Sequence, residues 1–414
     1  MIVASQHAPG ARIRPFVITL SRYAVLLKSP EVRQILTASL IGRLPIGLTG
    51  LAILILVQSH SGSFAAGGAA TAAYVTGLAI VAPVLGRSID LYGPRRILLA
   101  CALLFPAALA ALIGAVHVDA SPFVILGLAG LAGGCFPPIT VCMRTFFKQR
   151  FREDQQLTTA YSVESILIEL IFIAGPLLVA LLVALASPAA AVGAAALSGL
   201  VGTLLFLRTP ALRGWRIEAR DGRAMLGALS EAGFTPLLLI IFVFSMAFGL
   251  LEIGVTAYAT TLGDAAWAGV MLGLMSVGSA LGGLAYGSRS WRPPLESQFA
   301  FTLAVMGVGL TLLALEWTAW SFAALALLAG VIMAPALIIQ SMMVARIVRS
   351  AYATEAFTWS TSALLTGVGV GLAGGGLLLE TLPYRAALAA GGAAAMLAAL
   401  GVLLLLKKRR PAEP

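Results

Sequence analysis

Twelve apolar runs, separated by short polar turns, follow one another along this chain. A helix needs about 20 apolar residues to cross the hydrocarbon of a bilayer. Runs of that order cover 34–58, 65–87, 96–117, 122–144, 159–185 and 188–207. Six more cover 235–260, 266–287, 298–315, 320–344, 357–379 and 385–406. Between the sixth and seventh runs, 208–233 is the most polar internal stretch. The pattern predicts an all-α membrane protein with twelve transmembrane helices in two pseudo-symmetric six-helix bundles. The bundles span 34–207 and 234–406, with an N-terminal segment 1–33, the linker 208–233 and a tail 407–414.

A weak internal repeat supports the division. In the fourth run Gly133 is followed by Pro138, and in the tenth Gly330 is followed by Pro335. The fifth run opens Thr158-Thr159-Ala160-Tyr161-Ser162 and the eleventh Thr354-Glu355-Ala356-Phe357-Thr358. Both matches come at a shift near 196 residues. Parallel repeats of this kind build carriers that rock around a central site.

Composition makes lipid the surrounding solvent. Of 414 residues, 60% are hydrophobic and 11% charged, against about 25% charged in soluble proteins. The net charge of +10 does not point to nucleic acid, because the basic residues sit at the ends of apolar runs rather than among aromatic residues on a soluble face. When loops are assigned to alternate sides, 25 of the 27 lysines and arginines fall on one side. Positive loops stay in the cytoplasm, so both termini are expected there, with the chain in the inner membrane. Cys101, Cys135 and Cys142 lie within apolar runs without metal-ligand spacing. No nucleophile–base arrangement or phosphate-cradling loop is present, so neither an enzyme nor a bound metal or cofactor is expected.

The loop between the second and third runs reads Gly86-Arg87-Ser88-Ile89-Asp90-Leu91-Tyr92-Gly93-Pro94-Arg95-Arg96. It resembles the signature loop of the major facilitator superfamily in Gly86, Asp90, Gly93, Arg95 and Arg96, and departs from it at Leu91, where a basic residue is usual. The resemblance implies that Asp90 and the arginines latch two halves together on the cytoplasmic side; the alternative is a simple topology anchor. In the second half Tyr286 takes the acid's place. Ala174-Gly175-Pro176 is similar to the core of an antiporter motif of that superfamily, although Ile171, Val179 and Ala180 replace its other glycines. Gly175-Pro176 also serves as a helix bend or a close-packing step without any antiport role.

Charges inside the runs need partners, since each costs about 2.5–3.5 kcal/mol on an insertion scale. Arg43 and Glu169 lie at similar depth, as do Arg144 and Glu164, and these are the two expected ion pairs. They either fasten the bundle or take part in transport. Glu252, between Gly249 and Gly254, has no arginine at its level. It is a candidate for proton exchange or substrate binding, or it reaches the outer water. The family layout adds Thr49, Ser245, Met333, Gln340, Met342 and Trp359 to the residues expected around a central cavity. That set is mostly apolar and suits a hydrophobic or amphipathic molecule. The expected function is proton-coupled export of such a small molecule by a monomer in membrane lipid. Proton-coupled uptake of an organic nutrient is the alternative, and a non-transporting receptor is a third.

Overall fold

Lipid leaves the backbone no partner but itself, so the chain satisfies its peptide groups in helices. A computed structural model describes residues 21–215, 217, 227–262, 266–315 and 318–409. Arg12 and Arg14 of the N-terminal segment, Arg216, Arg220 and Arg223 of the linker, and Arg410 of the tail lie outside them. Twelve helices in the described residues are long and apolar enough to cross a membrane.

A short helix, α1 (Ser21–Lys28), precedes the first span. That span, Pro30–Ser61, is two helices, α2 (Pro30–Arg43) and α3 (Pro45–Ser61). Next come α4 (Phe64–Tyr92) and α5 (Pro94–His117). The fourth span is again split, into α6 (Pro122–Gly134) and α7 (Ile139–Arg150). The half closes with α8 (Asp154–Leu185) and α9 (Pro188–Arg208), followed by a four-residue turn of helix, α10 (Pro210–Arg213). The second half holds α11 (Phe234–Thr261), α12 (Ala266–Gly287) and α13 (Leu295–Leu313). Its split span is α14 (Ala319–Gly330) and α15 (Met333–Ile347), followed by α16 (Ala353–Leu379) and α17 (Tyr384–Arg409).

The three splits refine the sequence reading, which treated those spans as continuous. Each has a proline cause, because proline has no N–H to give the carbonyl four residues back. At Pro45 the chain tightens instead, with Leu44 N–H donating to the Ile41 carbonyl at 3.2 Å. Pro137 and Pro138 leave residues 135–138 non-helical. Pro335 frees the Val331 carbonyl, which faces Gly282 of α12 so closely that a Cβ on Gly282 would collide with it. Each split falls at the middle of its span.

Each bundle packs about itself, α9 against α2, α3 and α5 in the first, and α17 against α11 and α13 in the second. The halves meet along α4 with α16 and along α8 with α12 and α15. The repeat is visible in the packing: Gly133 of α6 lies against the Tyr74 carbonyl of α4, and Gly330 of α14 against the Met275 carbonyl of α12. Small residues let helices approach this closely in lipid. Gly202 of α9 lies so close to Gly42 of α2 that an added Cβ would strike backbone. Gly202→Ala is therefore expected to cost about 1–3 kcal/mol and to lower the melting temperature in detergent. Gly193→Ala on the same helix, with open space around it, serves as the control. Equal melting of the two variants would contradict this packing.

Candidate functional site

The split at Leu44 leaves Arg43 as the last residue of α2, fully buried at mid-span. Its Nη1 donates to Glu164 Oε1 at 3.2 Å, and Arg144 Nε of α7 donates to Glu164 Oε2 at 3.1 Å. One carboxylate, itself 1% exposed, thus serves two arginines. Arg43 Nε and Nη2 are buried without a hydrogen-bond acceptor among the described residues. The Tyr161 hydroxyl donates to the Arg144 carbonyl at 3.3 Å.

Arg43 therefore pairs with Glu164 and not with Glu169, a correction to the sequence reading. Depth alone does not decide a partner. Glu164 and Glu169 are five residues apart, roughly 140° around a helix of 3.6 residues per turn. The first faces its own bundle. Glu169 points to the other half, where Ser279 Oγ of α12 donates to its Oε1 at 2.6 Å. Ser279 was missed from sequence, although Ser276 and Ser279 form a polar pair one turn apart in a mostly apolar run.

Glu252 is exposed, with no hydrogen bond or ion pair to its carboxylate among the described residues. Gln340 of α15 is buried, its Nε2 donating to Ser360 Oγ of α16 at 2.7 Å while Oε1 has no partner among the described residues. Trp359 is half-buried and packs on the main apolar cluster. Thr49 and Ser245 also bury hydroxyls without described partners. Thr49, Ser245 and Gln340, three of the residues that the family layout puts around a central cavity, thus each bury a polar atom without a partner among the described residues. Gly175 of α8 lies against Gly47 of α3, and α8 runs unbroken through Pro176.

The side carrying the basic loops is where the halves are fastened. Asp90, at the end of α4, accepts from the backbone N–H of Thr354 at 3.1 Å and of Glu355 at 2.8 Å. These are first-turn donors of α16, which no helical carbonyl can satisfy, and the positive end of the helix dipole favours a carboxylate there. Gly86, one turn earlier, permits the approach, since a Cβ would meet Thr358. Gly93, at φ +81°, makes the turn into α5. Arg95 and Arg96 do not join the latch: both are exposed and bond to nothing among the described residues. They sit in the first turn of α5, beyond the seam.

On the pseudo-symmetric side, where Tyr286 replaces the acid, Thr159 Oγ1 donates to the Gly287 carbonyl at 3.0 Å. Arg346 and Asp154 form an exposed ion pair at 2.5 Å between two clefts of about 490 and 520 Å³. Lys148 donates to the Val348 carbonyl, and Thr145 and Thr354 share a hydroxyl bond at 3.2 Å. Tyr23 of α1 crosses the same seam, donating to the Leu284 carbonyl at 2.8 Å. Burial pushes its phenol up to about 12, so it stays a donor throughout the physiological range.

Two pseudo-symmetric bundles with spans broken at mid-depth, meeting along a seam fastened on one side, define the fold of a multi-pass membrane transporter. The chain belongs to the Major Facilitator Superfamily, whose family model matches residues 35–295. No curated protein matches it in sequence. Among solved structures it is similar to a bacterial homologue of the iron transporter ferroportin in an outward-facing state (TM-score 0.73, 16% identity, 91% of this chain and 99% of that one). It is also similar to the human organic anion transporter MFSD10 (TM-score 0.70, 16% identity, 90% and 100%). A third is the E. coli fucose:proton symporter FucP (TM-score 0.66, 12% identity, 89% and 97%). These likenesses establish the fold.

Proposed function

We propose that this protein is a proton-coupled secondary transporter that exports a hydrophobic or amphipathic small molecule across the inner membrane, with both termini cytoplasmic. The observation that supports this most is the Glu169–Ser279 hydrogen bond, which ties a membrane-embedded carboxylate of one half to a hydroxyl of the other. An ionised carboxylate accepts such a bond about twice as strongly as a neutral acid. Adding a proton to Glu169 therefore loosens the seam, which is the link between proton binding and rocking that a carrier needs. Glu252, exposed and without a partner for its carboxylate among the described residues, is the second proton site. The mostly apolar walls favour an apolar cargo, and the Gly175-Pro176 step, similar to an antiporter motif, favours export.

Uptake by symport is the second reading, since a fucose:proton symporter shares this fold. Everted membrane vesicles under an imposed proton gradient, acid inside, separate the two with a panel of fluorescent amphipathic dyes. An exporter concentrates its cargo inside these vesicles, whereas a symporter drives it out. Glu169→Gln and Glu252→Gln are each expected to abolish uphill accumulation while downhill exchange of the same dye continues. Uphill accumulation at the wild-type level in both variants would overturn the coupling assignment.

A further inference from the structure

The buried Arg43–Glu164–Arg144 cluster holds two positive charges and one negative charge. A pair that only fastened the bundle would be neutral. Among the described residues Glu164 is the one acid in ion-pair contact with Arg43 and with Arg144, and Glu169, turned away around α8, is held by Ser279. The cluster is therefore one anion short.

The atoms left over have a particular shape. Arg43 uses Nη1 on Glu164. Its free donors are Nε and Nη2, the lateral edge of the guanidinium, where two parallel N–H groups match the two oxygens of a carboxylate. Arginine does not escape by losing its proton, and a buried cation with unfilled donors is costly. The position is also the expected one for cargo. Arg43 ends α2 at the mid-span split, and broken helices at the midplane are where secondary transporters hold their substrates.

We infer that the transported molecule carries an anionic head group, a carboxylate or a group of like charge and shape, which Arg43 binds through Nε and Nη2. The inference rests on the transporter reading above and narrows its substrate to amphipathic anions. Access comes through the seam. The Tyr161 ring that borders the cluster stacks edge-on against Phe357 of the other half, with centroids 6.2 Å apart. Thr145, next to Arg144, is bonded to Thr354. Parting the halves on the basic side removes both covers, so the anion is taken up from that side. Glu164 keeps Arg43 and Arg144 from closing around the anion together, which leaves the cargo releasable.

The test uses the full chain in lipid nanodiscs and three probes sharing one apolar body: naphthoate, naphthylmethanol and naphthylmethylammonium. Thermal melting is expected to rise saturably with naphthoate and not with the neutral or cationic probe. Arg43→Gln is expected to weaken the naphthoate response roughly ten- to a hundredfold, as loss of a charge-assisted hydrogen-bond pair predicts, while Arg43→Lys keeps part of it. A larger shift with the neutral or cationic probe, a wild-type naphthoate response in Arg43→Gln, or no shift with any probe would overturn the inference. The wild-type comparison decides the matter even if Arg43→Gln does not fold. A preference for the cationic or neutral probe combined with intact proton-driven accumulation removes the anion and leaves the exporter standing.

Discussion

Glu164→Ala is expected to lower the melting temperature by on the order of ten degrees, the largest stability effect of any single substitution considered. Removing one partner of a buried ion pair costs about 3–5 kcal/mol because the other charge is left uncompensated. Here one deletion strands two guanidinium groups, Arg43 fully buried and Arg144 with 14% of its side chain exposed. Each kcal/mol moves the melting point of a body of 150–250 residues by about 2–4 °C, and whole-protein stability is only about 5–15 kcal/mol. The double variant Glu164→Gln with Arg43→Met, which replaces the pair by groups of similar size, is expected to recover much of the loss. Fluorescence-monitored melting in detergent gives the comparison. A Glu164→Ala protein that melts within two or three degrees of wild type (about 1 kcal/mol) would show that the cluster is solvated and that its charges are not balanced against one another.

The second large effect is conformational. Asp90→Asn should shift the protein toward states open on the basic side. The carboxylate accepts two backbone N–H groups of α16 at once. An asparagine keeps one acceptor and turns an NH₂ group toward the other donor. Hydrogen bonds to a charged group contribute about 1.5–3 kcal/mol, so losing one, with the dipole contact, shifts the closed-to-open ratio roughly thirty- to a hundredfold. The native Cys142 of α7 reports on it, since it is fully buried on a helix that packs against α16. Its labelling by a membrane-impermeant maleimide, resolved by peptide mass, is expected to speed up at least about tenfold in Asp90→Asn. An unchanged rate would mean that the seam is held elsewhere.

Much of the fold was legible because lipid imposes it. Twelve runs of sufficient length, the polar stretch after Leu207 and the Gly–Pro spacings of the fourth and tenth runs all follow from what a backbone does without water. The split of the first span at Pro45 was also written in the sequence, but a proline within an apolar run is compatible with an unbroken helix, as Pro83, Pro106 and Pro176 demonstrate. The charge partners were harder to read. Sequence gives depth along a helix well and rotation between helices poorly, so Arg43 was matched to the carboxylate at its level rather than the one on its side. The same limit hid Ser279 and assigned Arg95 and Arg96 to a latch that Asp90 makes without them. Asp90 itself was readable because an acid has little use as a topology anchor among basic residues.

The central claim is that a proton on Glu169 governs whether the two halves are docked on the basic side. Tyr92 and Ser290 are exposed there, one in each half, and nitroxide labels at these positions report their separation by pulsed electron resonance. Lowering the pH from about 8 to about 4, past the ordinary glutamate value of about 4.3, should add a longer-distance population in the wild type. In Glu169→Gln that population should be present at both ends of the range. A wild-type distance that does not change with pH, or a Glu169→Gln protein that still follows the wild-type shift, would contradict the account.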